Sequence, residues 1–260
     1  MNNTIRIDID ARGVATLWLA RAEKHNAMDA VMIAEIAAAA ADLGANGDVR
    51  VVVLRAEGRS FCAGGDLGWM RDQMGADRAT RMAQAAKLAS MLGALEALPK
   101  PLIALAQGNA FGGGVGLLAV ADLALCVESA RFGLSEVRLG LIPATIGPYV
   151  VAKLGPKARE VFFSARLFAA PEAVRLGLLS RAVPETDAEA ALEAEIAPYL
   201  SAAPGAVIAA KSLARSLAGR VSAKDVEMSI TALADQWETD EAREGIAAFF
   251  DKRKTNWDLM

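Results

Sequence analysis

The chain holds one histidine, His25, and two cysteines, Cys62 and Cys126, in 260 residues. That scarcity removes several chemistries at once. A Ser-His-Asp triad or a Cys-His pair would have to use His25, which lies in a polar loop between Arg21 and Asp29 and reads as a surface or local hydrogen-bonding residue. Zinc sites usually draw on more histidine or cysteine than this, so no metal is expected. Both cysteines lie in apolar surroundings and read as small buried hydrophobes, which speaks against a disulfide framework. Basic excess is lacking too: 28 Lys and Arg against 31 Asp and Glu leave a net charge of -3, with no footprint for nucleic acid. The first ten residues carry Arg6, Asp8 and Asp10 and no apolar signal core, so a cytoplasmic location is expected.

The most telling lack is local. Charged residues make up 23% of the chain, yet none lies between Lys100 and Asp122. A membrane span needs about 20 apolar residues, but Gln107, Asn109 and three adjacent glycines argue against a lipid-facing helix, and no membrane partner is expected. Residues 102–106 are short and apolar enough for a buried strand. Gln107, Asn109, Gly112, Gly113 and Gly114 break the run, and residues 115–121 resume with helix-forming side chains. Glycines let backbone approach a ligand and adopt positive φ, and the first amides of a helix have no intrahelical partner. Such a turn offers N–H donors to an oxyanion or a phosphate. A purely structural buried turn fits the same residues.

A second unit repeats the pattern. Residues 49–54 (VRVVVL) read as a strand from their β-branched content, and SFCAGGD at 60–66 follows. Two strand-then-glycine turns can each aim one backbone N–H at a single carbonyl oxygen, as in an oxyanion hole.

Elsewhere, Ile5, Ile7 and Ile9 alternate with charge and residues 14–19 are β-rich across an Ala11-Arg12-Gly13 turn, which predicts a hairpin. Asp29 is the N-cap of a helix over 30–43. Residues 67–74 are short and mixed, and 76–98 form a long helix in which Met82 and Met91, like Met70 and Met74 before it, fill apolar gaps. A strand is predicted at 123–127. Ser135 is a candidate cap for a short helix carrying Glu136, and further helices are predicted at 145–154, 157–163, 171–176 and 188–200. Ala203, Pro204 and Gly205 mark the best boundary, separating a region 1–203 from a helical region 204–260 with helices at 206–217, 223–237 and 240–254. The class is α/β.

Taken in order, RAEKHNAMD (21–29), SFCAGGDL (60–67), KPLIALAQGNAFGGGVGL (100–117), ADLALC (121–126) and ARFGLSEVRLGLIP (130–143) resemble the enoyl-CoA hydratase/isomerase, or crotonase, superfamily. PEAVRLGLLSRAVP (171–184) and EGIAAFFDKRKTNW (244–257) fit as well. The resemblance implies a crotonase-like ββα spiral core with a C-terminal helical trimerisation region, in a homotrimer or a dimer of trimers. Ile246, Phe249 and Phe250 would then be interface residues. The substrate would be an acyl-CoA thioester, with coenzyme A part of the substrate and no separate cofactor.

In that alignment the oxyanion donors are the amides of Gly65 and Gly113, and Glu136 falls on the second catalytic acid. Its neighbours Leu134, Val137 and Leu139 would raise a carboxyl pKa; the plain alternative is a glutamate placed favourably at a helix N-terminus. Arg21 and Lys24 match the loop near the nucleotide phosphates, and Ala63 the backbone contact to adenine. Asp66 is expected to serve its turn structurally. The departure is Gly116, where typical hydratases carry a second glutamate. GGGVGL, LSEVRLGL and PATIGPYV look like the branch of bacterial 3-methylglutaconyl-CoA and isohexenylglutaconyl-CoA hydratases. Hydration by a single Glu is therefore the first expectation, an enoyl-CoA delta-isomerase the second, and a silent acyl-CoA binder the third. A dehalogenase would need a nucleophilic Asp within 142–145, where none stands. Arg138 is a candidate partner for a distal substrate carboxylate.

Overall fold

Alternation at the N-terminus produces the predicted hairpin. In the computed structural model, which describes residues 4–217 and 221–257, β1 (Ile5–Ile9) pairs antiparallel with β2 (Val14–Leu19), Ile5 opposite Leu19. Asp29 then caps α1 (Ala30–Ala45) by accepting the Met32 N–H at 2.9 Å. β3 (Val51–Ala56) starts two residues later than predicted, because its parallel register with β2 begins at the Val14–Val51 pair. β4 (Ser60–Cys62) follows, then α2 (Leu67–Gly75) and α3 (Arg78–Glu96), whose N-cap Asp77 accepts from Thr80.

β5 (Leu102–Ala106) is buried along its whole length, which is why the surrounding stretch excludes charge. The charges flanking it are put to use. Lys100 donates to the carbonyls of Asn46 and Val49, and Asp122 accepts from the Leu102 N–H and from Lys211. Next come β6 (Asn109–Phe111), α4 (Gly113–Ala119), β7 (Leu123–Val127) and β8 (Arg131–Gly133). α5 (Gly147–Leu154), β9 (Phe168–Ala169), α6 (Ala170–Leu176), β10 (Arg181–Val183) and α7 (Ala188–Ser201) complete the core.

One sheet is ordered β1-β2-β3-β5-β7-β10 and a smaller one β4-β6-β8-β9, and from β3 to β8 successive strands alternate between them. Over that stretch each turn of the chain gives a strand of five or six residues to one sheet and one of three residues to the other, the spiral that the resemblance implied. The short strands β4, β6 and β8 were not predicted. At three residues each they are too brief to show an alternation pattern. The expected helix at 157–163 is instead a 3-10 turn, Gly155–Glu160, entered through Gly155 at φ 58°.

Three helices follow: α8 (Pro204–Leu217), α9 (Ala223–Trp237) and α10 (Asp240–Phe250). α10 packs against the 3-10 turn Glu136–Leu139. Glycine makes this approach feasible, since a Cβ on Gly245 would lie 2.5 Å from the Leu139 carbonyl carbon. Ile246 is accordingly core rather than interface: it is 1% exposed and clusters with Leu141, Trp237 and Ala242. Phe249, by contrast, is exposed.

Candidate active site

Three neighbouring short strands set the geometry. β4, β6 and β8 run parallel, with Cys62 opposite Ala110 and Ala110 opposite Phe132. Their C-terminal ends therefore share one edge of the small sheet. Gly65, Gly113 and Glu136 follow the aligned positions of β4, β6 and β8 within three or four residues, so the sheet brings together groups far apart in sequence.

Close contact between the turns depends on glycine. Gly64 and Gly112 adopt φ of 95° and 47°, which side chains resist. A Cβ on Gly64 would stand 3.2 Å from the Phe111 carbonyl oxygen, and one on Gly112 would stand 3.0 Å from Oε1 of Glu136. We expect Gly112→Ala to cut turnover at least 10-fold, because it both strains the turn and displaces the Glu136 carboxyl; steady-state kinetics on a folded variant would check this.

The loop after β2 fixes the first donor. Met28 N–H donates to the Gly64 carbonyl at 2.7 Å, and Asp66 N–H donates to the Met28 carbonyl at 2.9 Å, so Gly65 sits in a parallel bridge with its own N–H turned away. Gly113 is the first residue of α4, where no intrahelical acceptor exists. Among the described residues, neither N–H has an acceptor within the chain. Both glycines line the same cavity of about 140 Å³, walled chiefly by Met28, Trp69, Leu88, Ile146 and Trp237, with Glu136 at its side.

Glu136 opens the turn Glu136–Leu139, and its Oε2 is buried without a hydrogen-bond partner in the chain. Burial pushes its carboxyl up from 4.5 to about 7, opposed only by its own backbone N–H. Ser135 precedes the turn but does not cap it with its side chain. The place of a second carboxylate is filled. A Cβ on Gly116 would lie 2.7 Å from Ile146 Cγ2 and 3.6 Å from Leu92 Cδ1.

Other predicted residues fall around this centre. Asp66 caps α2 by accepting from Gly68 at 2.8 Å and Trp69 at 3.2 Å. Burial alone would raise its carboxyl, but those amides and Arg21 outweigh burial and hold it below the usual value. Arg21, expected at the nucleotide phosphates, spends its guanidinium on Asp29 at 3.0 Å, Asp66 at 3.2 Å and the Ala27 carbonyl at 2.6 Å. It locks the loop against the glycine turn. Lys24 is exposed at the end of the 3-10 turn Ala22–Lys24, and Ala63 is exposed with its N–H on the His25 carbonyl. His25 Nδ1 lies 3.1 Å from Ser60 Oγ, a local contact outside the cavity. Arg138 does not line the cavity; it faces a separate groove with Arg253 and Trp257.

Sequence reasoning missed Trp69, Gln73, Arg81 and Trp237 in the wall. The spacing of Trp69, Met70 and Gln73 on one face of α2 is the signal that was there to read. Among the described residues there is no cluster able to hold a metal ion, and no helix is long and apolar enough to cross a membrane.

The family model described as enoyl-CoA hydratase/isomerase matches residues 10–259. A Thermus thermophilus relative carrying the name enoyl-CoA hydratase is 32% identical over 252 residues, spanning 95% of this chain and 98% of its own. The crystal structure of an enoyl-CoA hydratase from Shewanella pealeana aligns with a TM-score of 0.81 at 37% identity, covering 99% of this chain and 97% of that one. Another so named, from Mycobacterium avium, aligns with a TM-score of 0.88 at 28% identity, covering 99% of this chain and 100% of that one.

Proposed function

Because the chain belongs to the enoyl-CoA hydratase/isomerase family, we propose that it adds water to a 2-enoyl-CoA using Glu136 as a single acid and base. The observation that carries this reading is one buried, partnerless carboxylate oxygen sharing a cavity with two backbone N–H groups that have no acceptor. Ionised Glu136 takes a proton from water as the water oxygen bonds to C3 of the enoyl group. The electron pair of the double bond moves onto the thioester carbonyl, and the Gly65 and Gly113 amides stabilise the resulting enolate oxygen. One such donor is worth ~3–4 kcal/mol. Glu136 then returns the proton to C2, and no other cofactor enters. Coenzyme A comes with the substrate, and exposed Lys24 is the side chain assigned to its phosphates, Arg21 being held within the chain.

For the acyl group we propose the 3-methylglutaconyl-CoA-like class, on the strength of GGGVGL, LSEVRLGL and PATIGPYV. Gly116 also favours a second reading, isomerisation of a 3-enoyl-CoA, because one carboxylate suffices to carry a proton between two carbons. For assembly we propose a homotrimer or a dimer of trimers in the cytoplasm. It is supported by α8, which buries none of its described residues and leaves Leu213 and Leu217 exposed. The test is hydration of 3-methylglutaconyl-CoA and crotonyl-CoA, and isomerisation of a 3-enoyl-CoA, by wild type and Glu136→Gln. Glu136-dependent hydration supports the proposal, isomerisation without hydration transfers it to the second reading, and binding without any turnover identifies a silent acyl-CoA binder.

A further inference from the structure

Two residues that line the cavity each carry a buried side-chain atom without a partner in the chain: Oε2 of Glu136 and Nε1 of Trp69. The proposed chemistry uses the first and leaves the second unexplained. An indole nitrogen can only donate, and a buried donor without an acceptor is a cost that native structures seldom carry without a purpose.

Its placement is specific. α2 turns Trp69, Met70 and Gln73 toward the cavity and leaves Arg71 and Asp72 exposed. The benzo edge of Trp69 covers Gly65, with Cε3 and Cζ3 each 3.6 Å from where a Cβ on that glycine would stand. Nε1 belongs to the opposite edge of the ring, one ring-width from the proposed oxyanion donor. The wall there is not purely apolar. Gln73, Gln84 and Arg81 also line the cavity, and Arg81 braces the end of α2 by donating to the carbonyls of Gln73 at 2.9 Å and Met74 at 3.2 Å. Arg81 is also paired with Glu238, so its charge is met within the chain, while Gln73 and Gln84 add amide groups to the same wall.

We infer that Trp69 Nε1–H donates a hydrogen bond to an oxygen on the acyl chain, so that the substrate class is an acyl-CoA bearing a carboxylate or hydroxyl beyond the reacting carbons. This rests on the acyl-CoA reading of the cavity. Trp69 is a specificity residue here and takes no part in proton transfer.

The test measures equilibrium binding of glutaryl-CoA, 4-hydroxybutyryl-CoA and butyryl-CoA, all saturated and therefore unreactive in hydration, to wild type and Trp69→Phe. Phenylalanine keeps an aromatic ring and removes the donor. Wild type is expected to bind one or both oxygenated ligands about 10-fold more tightly than butyryl-CoA, and the variant to lose most of that preference. Which oxygenated ligand carries the preference distinguishes carboxylate from hydroxyl. In the wild type itself, the Trp69 indole N–H resonance is expected to shift with the preferred ligand and not with butyryl-CoA, a readout that does not depend on the variant folding. Equal binding of all three by wild type, a preference that survives in Trp69→Phe, or a uniform loss across the three ligands would overturn the assignment. Failure of wild type to bind any of them would overturn the acyl-CoA reading itself, and this inference with it.

Discussion

Glu136→Gln is expected to lower kcat for hydration by about 10²–10⁴-fold, the usual contribution of a positioned acid or base, while acyl-CoA affinity changes little. The substitution keeps the shape of the side chain and removes its ability to cycle a proton. Among the described residues Glu136 is the one carboxyl lining the cavity that Gly65 and Gly113 share, so no neighbour can take over: Asp66 is held by two amides and Arg21, and Gly116 offers no side chain. The same variant reports on the cost of keeping the carboxyl where it is. Its folded value is raised to about 7 by burial, from 4.5. Between those values the folded protein holds a proton that the unfolded chain releases, so this group makes stability fall as pH rises through that window. Glutamine carries no such penalty. Glu136→Gln should therefore match wild type in denaturant melts below about pH 4.5 and exceed it above about pH 7, by at most on the order of 3 kcal/mol. The amide leaves an N–H of its own to satisfy, which trims that gain. An inactive variant more stable than its parent would mark Glu136 as a residue kept for chemistry at the expense of stability.

Gly116→Glu carries the second large effect, and its sign is the opposite of what a sequence comparison suggests. Restoring the glutamate typical of hydratases should not restore a two-carboxylate site. Its Cβ would begin 2.7 Å from Ile146 Cγ2 and 3.1 Å from Ile146 Cβ, inside a helix whose residues are nearly all buried. Overpacking of that kind costs ~1–3 kcal/mol, and burying a carboxylate without a partner adds several more. We expect a markedly lower denaturation midpoint and poor folded yield, with no gain in kcat; Gly116→Ala should show the packing part alone. A well-folded Gly116→Glu protein with faster hydration would mean that Ile146 moves aside and that the second position is merely vacant.

What could be read from the sequence was whatever local chemistry dictates. The hairpin follows from alternation across Gly13, α1 from Asp29, and β5 and β7 from short apolar runs whose bounds matched the structure. Both glycine turns could be seen for the same reason, since Gly64 and Gly112 do need positive φ. Features that depend on distant partners were hidden. β4, β6 and β8 exist because they pair with one another, and three residues alone carry no period. Arg21 matches the nucleotide-phosphate loop, and its pairing with Asp66, 45 residues away, could not be read from its own segment. Ile246 looked like an interface residue until Gly245 let α10 approach the Glu136 turn closely enough to bury it. Ile146, which fills the space at Gly116, gave no sign of that role in its own segment.

The central claim is that one buried carboxyl, Glu136, supplies both the base and the acid. The pH dependence of kcat/KM for hydration, measured on wild type with whichever 2-enoyl-CoA it turns over, tests this most directly. The account predicts that activity rises with pH through a single ionisation near 7, as burial of Glu136 requires, and that this limb disappears from the residual rate of Glu136→Gln. A wild-type profile flat from pH 5 to 8, or a limb near 7 that persists undiminished in Glu136→Gln, would contradict it.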